Sequence, residues 1–149
     1  MLTFSATAVS TSDTGLTVKA RDFEFLIDEP AALGGGDLGP NPVEYELASL
    51  LGCLNVVVHL VAKERGVTLS SFSATATGSL DPARFMGTSM QARAGFQGIG
   101  VTIEVTGDAD DEELAQIARI AEDRCPVSDN LAHGTPVSIS IVKQVAVEV

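Results

Sequence analysis

The chain has 149 residues, and 9 Lys+Arg against 20 Asp+Glu leave it a net charge of -11 at pH 7. A surface of that sign repels phosphate backbones and anionic lipid, which excludes nucleic acid and a membrane surface as partners. Hydrophobic residues at 45% with charged ones at only 19% are too apolar for disorder. They fit one domain over residues 1–149, with an apolar excess that points to a homodimer at least.

Residues 2–9 and 16–27 are rich in Thr, Val, Phe and Ile and predict two strands, joined at the Ser12-Asp13-Thr14-Gly15 turn. The start, MLTFSATAVSTSD, lacks the basic residues and continuous apolar block of a secretion signal. No apolar run is expected to approach the ~20 residues of a membrane span, so the expected compartment is the cytoplasm. From Asp28-Glu29-Pro30 to Pro40 the glycines and prolines predict a loop. Asn41, Pro42 and Glu44 then write a helix start, with an N-cap, a proline in the first turn and a Glu placed for a capping box. That helix is expected to reach about Arg65. Val43, Leu47, Leu50, Leu54, Val57, Val58 and Val61 form its apolar stripe, and Val56 and Leu60 widen it, so the helix should be mostly buried.

Gly66 closes the helix, and residues 67–80 predict a strand ending at Asp81-Pro82. Residues 84–93 fit neither helix nor strand clearly. Val101 to Thr106 predicts a strand, and Asp110-Asp111-Glu112-Glu113 sets four carboxylates at the positive end of a second helix. Leu114, Ile117, Ala118 and Ala121 give that helix its apolar face. Pro126 and Gly134 bracket a short helical turn, and Val137 to Val149 predicts a final strand. Strands gathered toward both ends around two helices argue for an α+β fold.

Neither Gly34-Gly35-Gly36 nor residues 95–100 lead into a phosphate-binding turn. His59, His133, Cys53 and Cys125 lack the short spacings that seed a zinc site, and no nucleophile-elbow pattern is present. No cofactor and no metal are therefore expected. Two cysteines in a reducing compartment serve as a redox pair more readily than as a structural staple. On position, Cys53 lies at the margin of the apolar stripe, two turns after Glu46 and two before Leu60, and reads either as a small core residue or as a reactive thiol. Cys125, in Arg124-Cys125-Pro126-Val127-Ser128, sits where it would cap a new helical turn beside a guanidinium. Both features favour a thiolate.

The string NPVEYELASLLGC ending at Cys53, followed 72 residues later by CPVSDNL from Cys125, resembles the two cysteine motifs of the OsmC/Ohr family, osmotically inducible protein C and organic hydroperoxide resistance protein. The preceding DEP and LGGGDLGPNP resemble the loop that leads into the central helix there. The resemblance implies an intertwined homodimer of α+β subunits, with strongly curved antiparallel sheets packed on two long helices and sites shared between subunits. It also implies thiol peroxidase chemistry on organic hydroperoxides, with Cys53 peroxidatic, Cys125 resolving and an external dithiol as reductant. Peroxide-reducing members carry a Glu directly after Asn-Pro that pairs with an Arg near the thiol. Here Val43 holds that place and Glu44 follows it, while Arg21 is the one arginine before Cys53. Alternation along the predicted strand sets Arg21 on the face of Phe23, Phe25 and Ile27. Arg21, with Arg124 as its competitor, and Glu44 are thus the candidates to activate the thiol. The rival expectation is a dimer with passive cysteines that binds a small apolar ligand without turnover.

Overall fold

The computed structural model describes residues 1–143. Near the N-terminus the chain reverses at Ser12, whose hydroxyl accepts from the Thr14 and Gly15 N–H groups at 3.3 and 2.7 Å. This turn joins β1 (Thr7–Ser10) to β2 (Leu16–Ala20), and β2 pairs in turn with β3 (Phe23–Ile27), giving an antiparallel three-stranded sheet in the order β1-β2-β3. The strand expected over residues 16–27 is therefore a hairpin. Its two-residue connection is Arg21-Asp22, with Arg21 held at a φ of 56°. A left-handed arginine is rare, and without a Gly or Asn to mark the turn the apolar alternation reads straight through it. Residues 2–6, also expected in a strand, are not in one.

After Ile27 the loop winds around a buried carboxylate. Asp28 is 2% exposed, and its oxygens accept from the Glu29, Gly36 and Leu38 N–H groups at 2.9, 3.0 and 3.3 Å. The Thr14 hydroxyl and then these amides hold its carboxyl below the usual range. The loop closes so tightly that a Cβ at Gly35 would lie 1.8 Å from the Glu29 carbonyl oxygen. It delivers the chain to α1 (Pro42–Glu64), where Asn41 Oδ1 accepts from Glu44 N–H at 2.9 Å and Glu44 Oε2 accepts from Asn41 N–H at 2.8 Å. Tyr45, one residue on, donates its hydroxyl to the Leu26 carbonyl at 2.7 Å and ties the first sheet to the helix.

Gly66, at a φ of 74°, turns the chain out of α1, and Val67 N–H returns to the Ala62 carbonyl at 2.8 Å. A second sheet follows, β4 (Leu69–Ser79) antiparallel to β5 (Gly98–Gly107), joined by residues 80–97 in turns and bends. Then α2 (Asp111–Arg124) is capped by Asp110, whose Oδ1 accepts from Glu113 N–H at 2.9 Å, and α3 (Pro126–His133) follows with a single residue, Cys125, between the two helices. The class is α+β, as the strand and helix patterns predict. Val57, Val58, Val61 and Ala62 of α1 form the core with Ile117 and Ala121 of α2, and Phe72 and Ile103 of the second sheet pack against them.

Three expectations need correction. α1 is not buried all round: Val56 and Leu60 stand 64% and 45% exposed, because α2, α3 and β4 cover only one side of the helix. The same helix reaches the length and mean hydropathy of a membrane span, 1.6 over an 18-residue window, although none was expected to. Its stripe is packed on protein. The final strand does not form over residues 137–143, where Val137, Ile139, Ile141 and Val142 are exposed and, among the described residues, no strand pairs with them. Residues 144–149 of that prediction lie outside the described residues.

Candidate functional site

The core helix carries Cys53 near its middle, and the joint between α2 and α3 carries Cys125. Packing of α1 on these two helices closes the sequence gap of 72 residues and sets the sulfurs 2.7 Å apart. That is longer than the ~2.05 Å of a disulfide, and both thiols are free. Cys125 is 0% exposed and clusters with Leu50 and Leu54 of α1, and Val127 and Leu131 of α3 and Val101 of β5 pack against that cluster. Cys53 is only partly covered.

Cys125 is the N-cap of α3, and its sulfur accepts from the Ser128 N–H at 3.4 Å. Pro126 follows as the first helical residue and has no N–H, so the first donor of the helix is Val127, whose amide acts to lower the Cys53 thiol. One helix start thus hydrogen-bonds the Cys125 sulfur and sets a second amide to act on Cys53, a partial positive charge without a side chain. It does not outweigh burial. Desolvation pushes the Cys53 thiol above its ordinary value, the adjoining Cys125 thiol pushes it the same way, and the Val127 N–H acts against both.

The charged candidates lie elsewhere within one chain. Arg124 turns away from the neighbouring sulfur and forks onto Glu64, with Nη1 and Nη2 donating to the two carboxylate oxygens at 2.6 and 3.1 Å. That pair holds the Glu64 carboxyl below its usual range. Arg21 is exposed at the tip of the β2–β3 turn, its guanidinium carbon 5.0 Å from the centre of the Phe23 ring. It does not continue the strand alternation that sets it among Phe25 and Ile27. Glu44 is engaged on the Asn41 N–H as the second half of the capping box. His59 bonds the Asn55 carbonyl and His133 bonds Asp129, each within its own helix. Among the described residues, no three His, Cys, Asp or Glu side chains converge as metal ligands.

Sequence reasoning did not find the Val127 and Ser128 amides or the role of Glu64. Backbone donors have no residue signature, although Cys-Pro at a helix start marks the place where two would be exposed. A cavity of about 780 Å³ lies against the same helices, lined by Leu50, Leu54, Phe96, Ile99, Val101 and Leu131, with Arg93 and Arg119 among its polar groups. It shares an apolar wall with Cys125, but neither sulfur lines it.

A family model described as OsmC, OsmC-like protein, matches residues 34–140. No curated protein matches the chain by sequence. Among solved structures, the chain is similar to an OsmC-like protein from Mycoplasma pneumoniae, with a TM-score of 0.77 and 20% identity over 89% of each chain. It is similar also to an organic hydroperoxide resistance protein OsmC from Legionella pneumophila, with a TM-score of 0.67 and 23% identity over 90% of this chain and 91% of that one. An organic hydroperoxide resistance protein from Elizabethkingia anophelis matches at a TM-score of 0.64 and 25% identity over 90% of each chain.

Proposed function

Because the chain belongs to the OsmC family of OsmC-like proteins, and because its two cysteines meet at the start of α3, we propose that it is a thiol-dependent peroxidase acting on organic hydroperoxides. The juxtaposed sulfurs carry this reading. In the proposed cycle the Cys53 thiolate attacks the distal peroxide oxygen. The O–O bond breaks, the alkoxide leaves with a proton as alcohol, and Cys53 becomes a sulfenic acid. Cys125 then attacks the Cys53 sulfur, its own proton and the departing hydroxide form water, and a Cys53–Cys125 disulfide results. An external dithiol returns both cysteines to thiols and is itself oxidised to a disulfide. The apolar surroundings of the sulfurs suit a substrate with an organic tail.

The proposed working unit is an intertwined homodimer. Support comes from the exposed Val56 and Leu60 on α1 and from a first sheet tied to its own chain chiefly through its loop and Tyr45. In such a dimer Arg21, at the exposed tip of that sheet, would be offered to the partner subunit's Cys53 as the activating cation, with Glu44 as its carboxylate. Glu44 must leave the Asn41 N–H to take that part.

The assay compares cumene hydroperoxide with hydrogen peroxide, using dithiothreitol or a lipoylated protein as reductant. Faster turnover of the organic substrate is expected. Cys53→Ser should abolish it, and Cys125→Ser should stop with sulfenic acid on Cys53. The cavity with its apolar wall of Leu50, Leu54, Ile99 and Val101 and the raised Cys53 thiol favour one rival, a dimer that binds a small apolar ligand with passive cysteines. Thiols left intact by stoichiometric hydroperoxide would end the peroxidase reading and support the rival.

A further inference from the structure

The two sulfurs are unequal in access, and this gives the reductive half of the cycle a direction. We propose that the external dithiol attacks the Cys53 sulfur of the disulfide, so that Cys125 is the sulfur that leaves. The inference rests on the peroxidase reading for its place in a cycle, while the exchange step itself depends only on how this chain buries its cysteines.

Thiol–disulfide exchange is an in-line displacement, in which the attacking, central and leaving sulfurs approach one line. Attack on Cys125 would require a thiol to reach a sulfur enclosed in a cluster with Leu50 and Leu54, against which Val127 and Leu131 also pack. Cys125 is 0% exposed within its own chain, and a second subunit can only add to that cover. Attack on Cys53 meets a sulfur that is only partly covered within its own chain. The leaving side agrees. A sulfur departing from Cys125 keeps the Ser128 N–H at the start of α3, where a developing thiolate is favoured.

The steps balance. A thiolate of the dithiol bonds to Cys53 Sγ, the Cys53–Cys125 bond breaks, and its electron pair stays on Cys125, which takes up a proton. The second thiol of the reductant, as thiolate, then attacks the reductant sulfur of the mixed disulfide. Cys53 leaves with the electron pair and is protonated, and the reductant departs as an intramolecular disulfide, two electrons poorer.

The test starts from full-length protein oxidised with diamide, which makes the disulfide whether or not the protein is a peroxidase. Excess 2-mercaptoethanol is added, early samples are quenched into N-ethylmaleimide in acidic denaturant, and both cysteines are mapped by mass spectrometry. The expected result is mercaptoethanol on Cys53 and maleimide on Cys125, exceeding the reverse pattern about tenfold or more. The reverse pattern, an even mixture, or no disulfide with diamide would overturn the proposal. A parallel sample oxidised with cumene hydroperoxide separates the two ideas. If diamide forms the bond and hydroperoxide does not, the peroxidase reading fails while the direction of exchange is still read from the diamide arm.

Discussion

At the scale of single residues, Cys53 is held by opposed effects. Burial raises its thiol and the Val127 amide lowers it, with burial the larger. Its alkylation by iodoacetamide should therefore rise only above the ordinary thiol value of ~8.5 in the isolated subunit. The same shift bears on folding. A group whose folded pKa is raised favours the native state fully below its unfolded value, and this contribution is lost as pH climbs through the folded one. Denaturant midpoints should accordingly fall in that alkaline window for wild type and less so for Cys53→Ser. If Arg21 activates the thiol across a subunit interface, Arg21→Met should slow alkylation at neutral pH and raise the apparent pKa, each unit corresponding to about 1.4 kcal/mol of lost charge interaction. Arg124→Met should leave the profile unchanged, because its guanidinium is engaged by Glu64. The opposite pair of profiles would move the activating cation from the β2–β3 turn to the end of α2.

Among the elements, helix starts were the most legible. Asn41-Pro42-Val43-Glu44 spelled out a capping box that the structure contains, and Asp110 capped α2 as its acidic first turn announced. A start is written in a few adjacent residues, so local chemistry decides it. Cys125 as the cap of α3 was legible for the same reason. The approach of Cys53 to Cys125 came only from resemblance, since no spacing rule carries a contact across 72 residues. Arg21 was misplaced because strand alternation assumes a continuous strand, and its left-handed turn has no glycine to announce it. Val137 to Lys143 alternates as a strand should, but alternation describes a face and does not supply a pairing edge. The double duty of Glu44 can be separated by two substitutions. Glu44→Gln keeps an acceptor for the Asn41 N–H, whereas Glu44→Ala removes it and should cost about 1 kcal/mol of stability. Slower peroxide turnover in Glu44→Gln, with an unchanged Tm, would assign the carboxylate to the chemistry, and loss confined to Glu44→Ala would assign it to the helix alone.

For the whole molecule, the uncovered side of α1 leads to the test of the dimer. Wild type should sediment as a dimer at micromolar concentration, and Leu60→Glu, which sets a charge among exposed apolar residues, should shift it toward monomer and lower peroxide turnover with it. A wild-type protein that sediments as a folded monomer would remove the interface and the shared site together. The distance along the chain between the cysteines matters in one more way. A bond between them ties the middle of α1 to the α2–α3 joint and closes a loop of 72 residues, which in chain-entropy terms restricts the unfolded ensemble by about 4 kcal/mol. By thermodynamic closure, whatever the bond adds to the fold, the fold adds to the bond. Oxidised chains would then outlast reduced ones in urea, and partial unfolding would make the disulfide easier to reduce. The protein's resistance to denaturation would become a record of its recent encounters with oxidant.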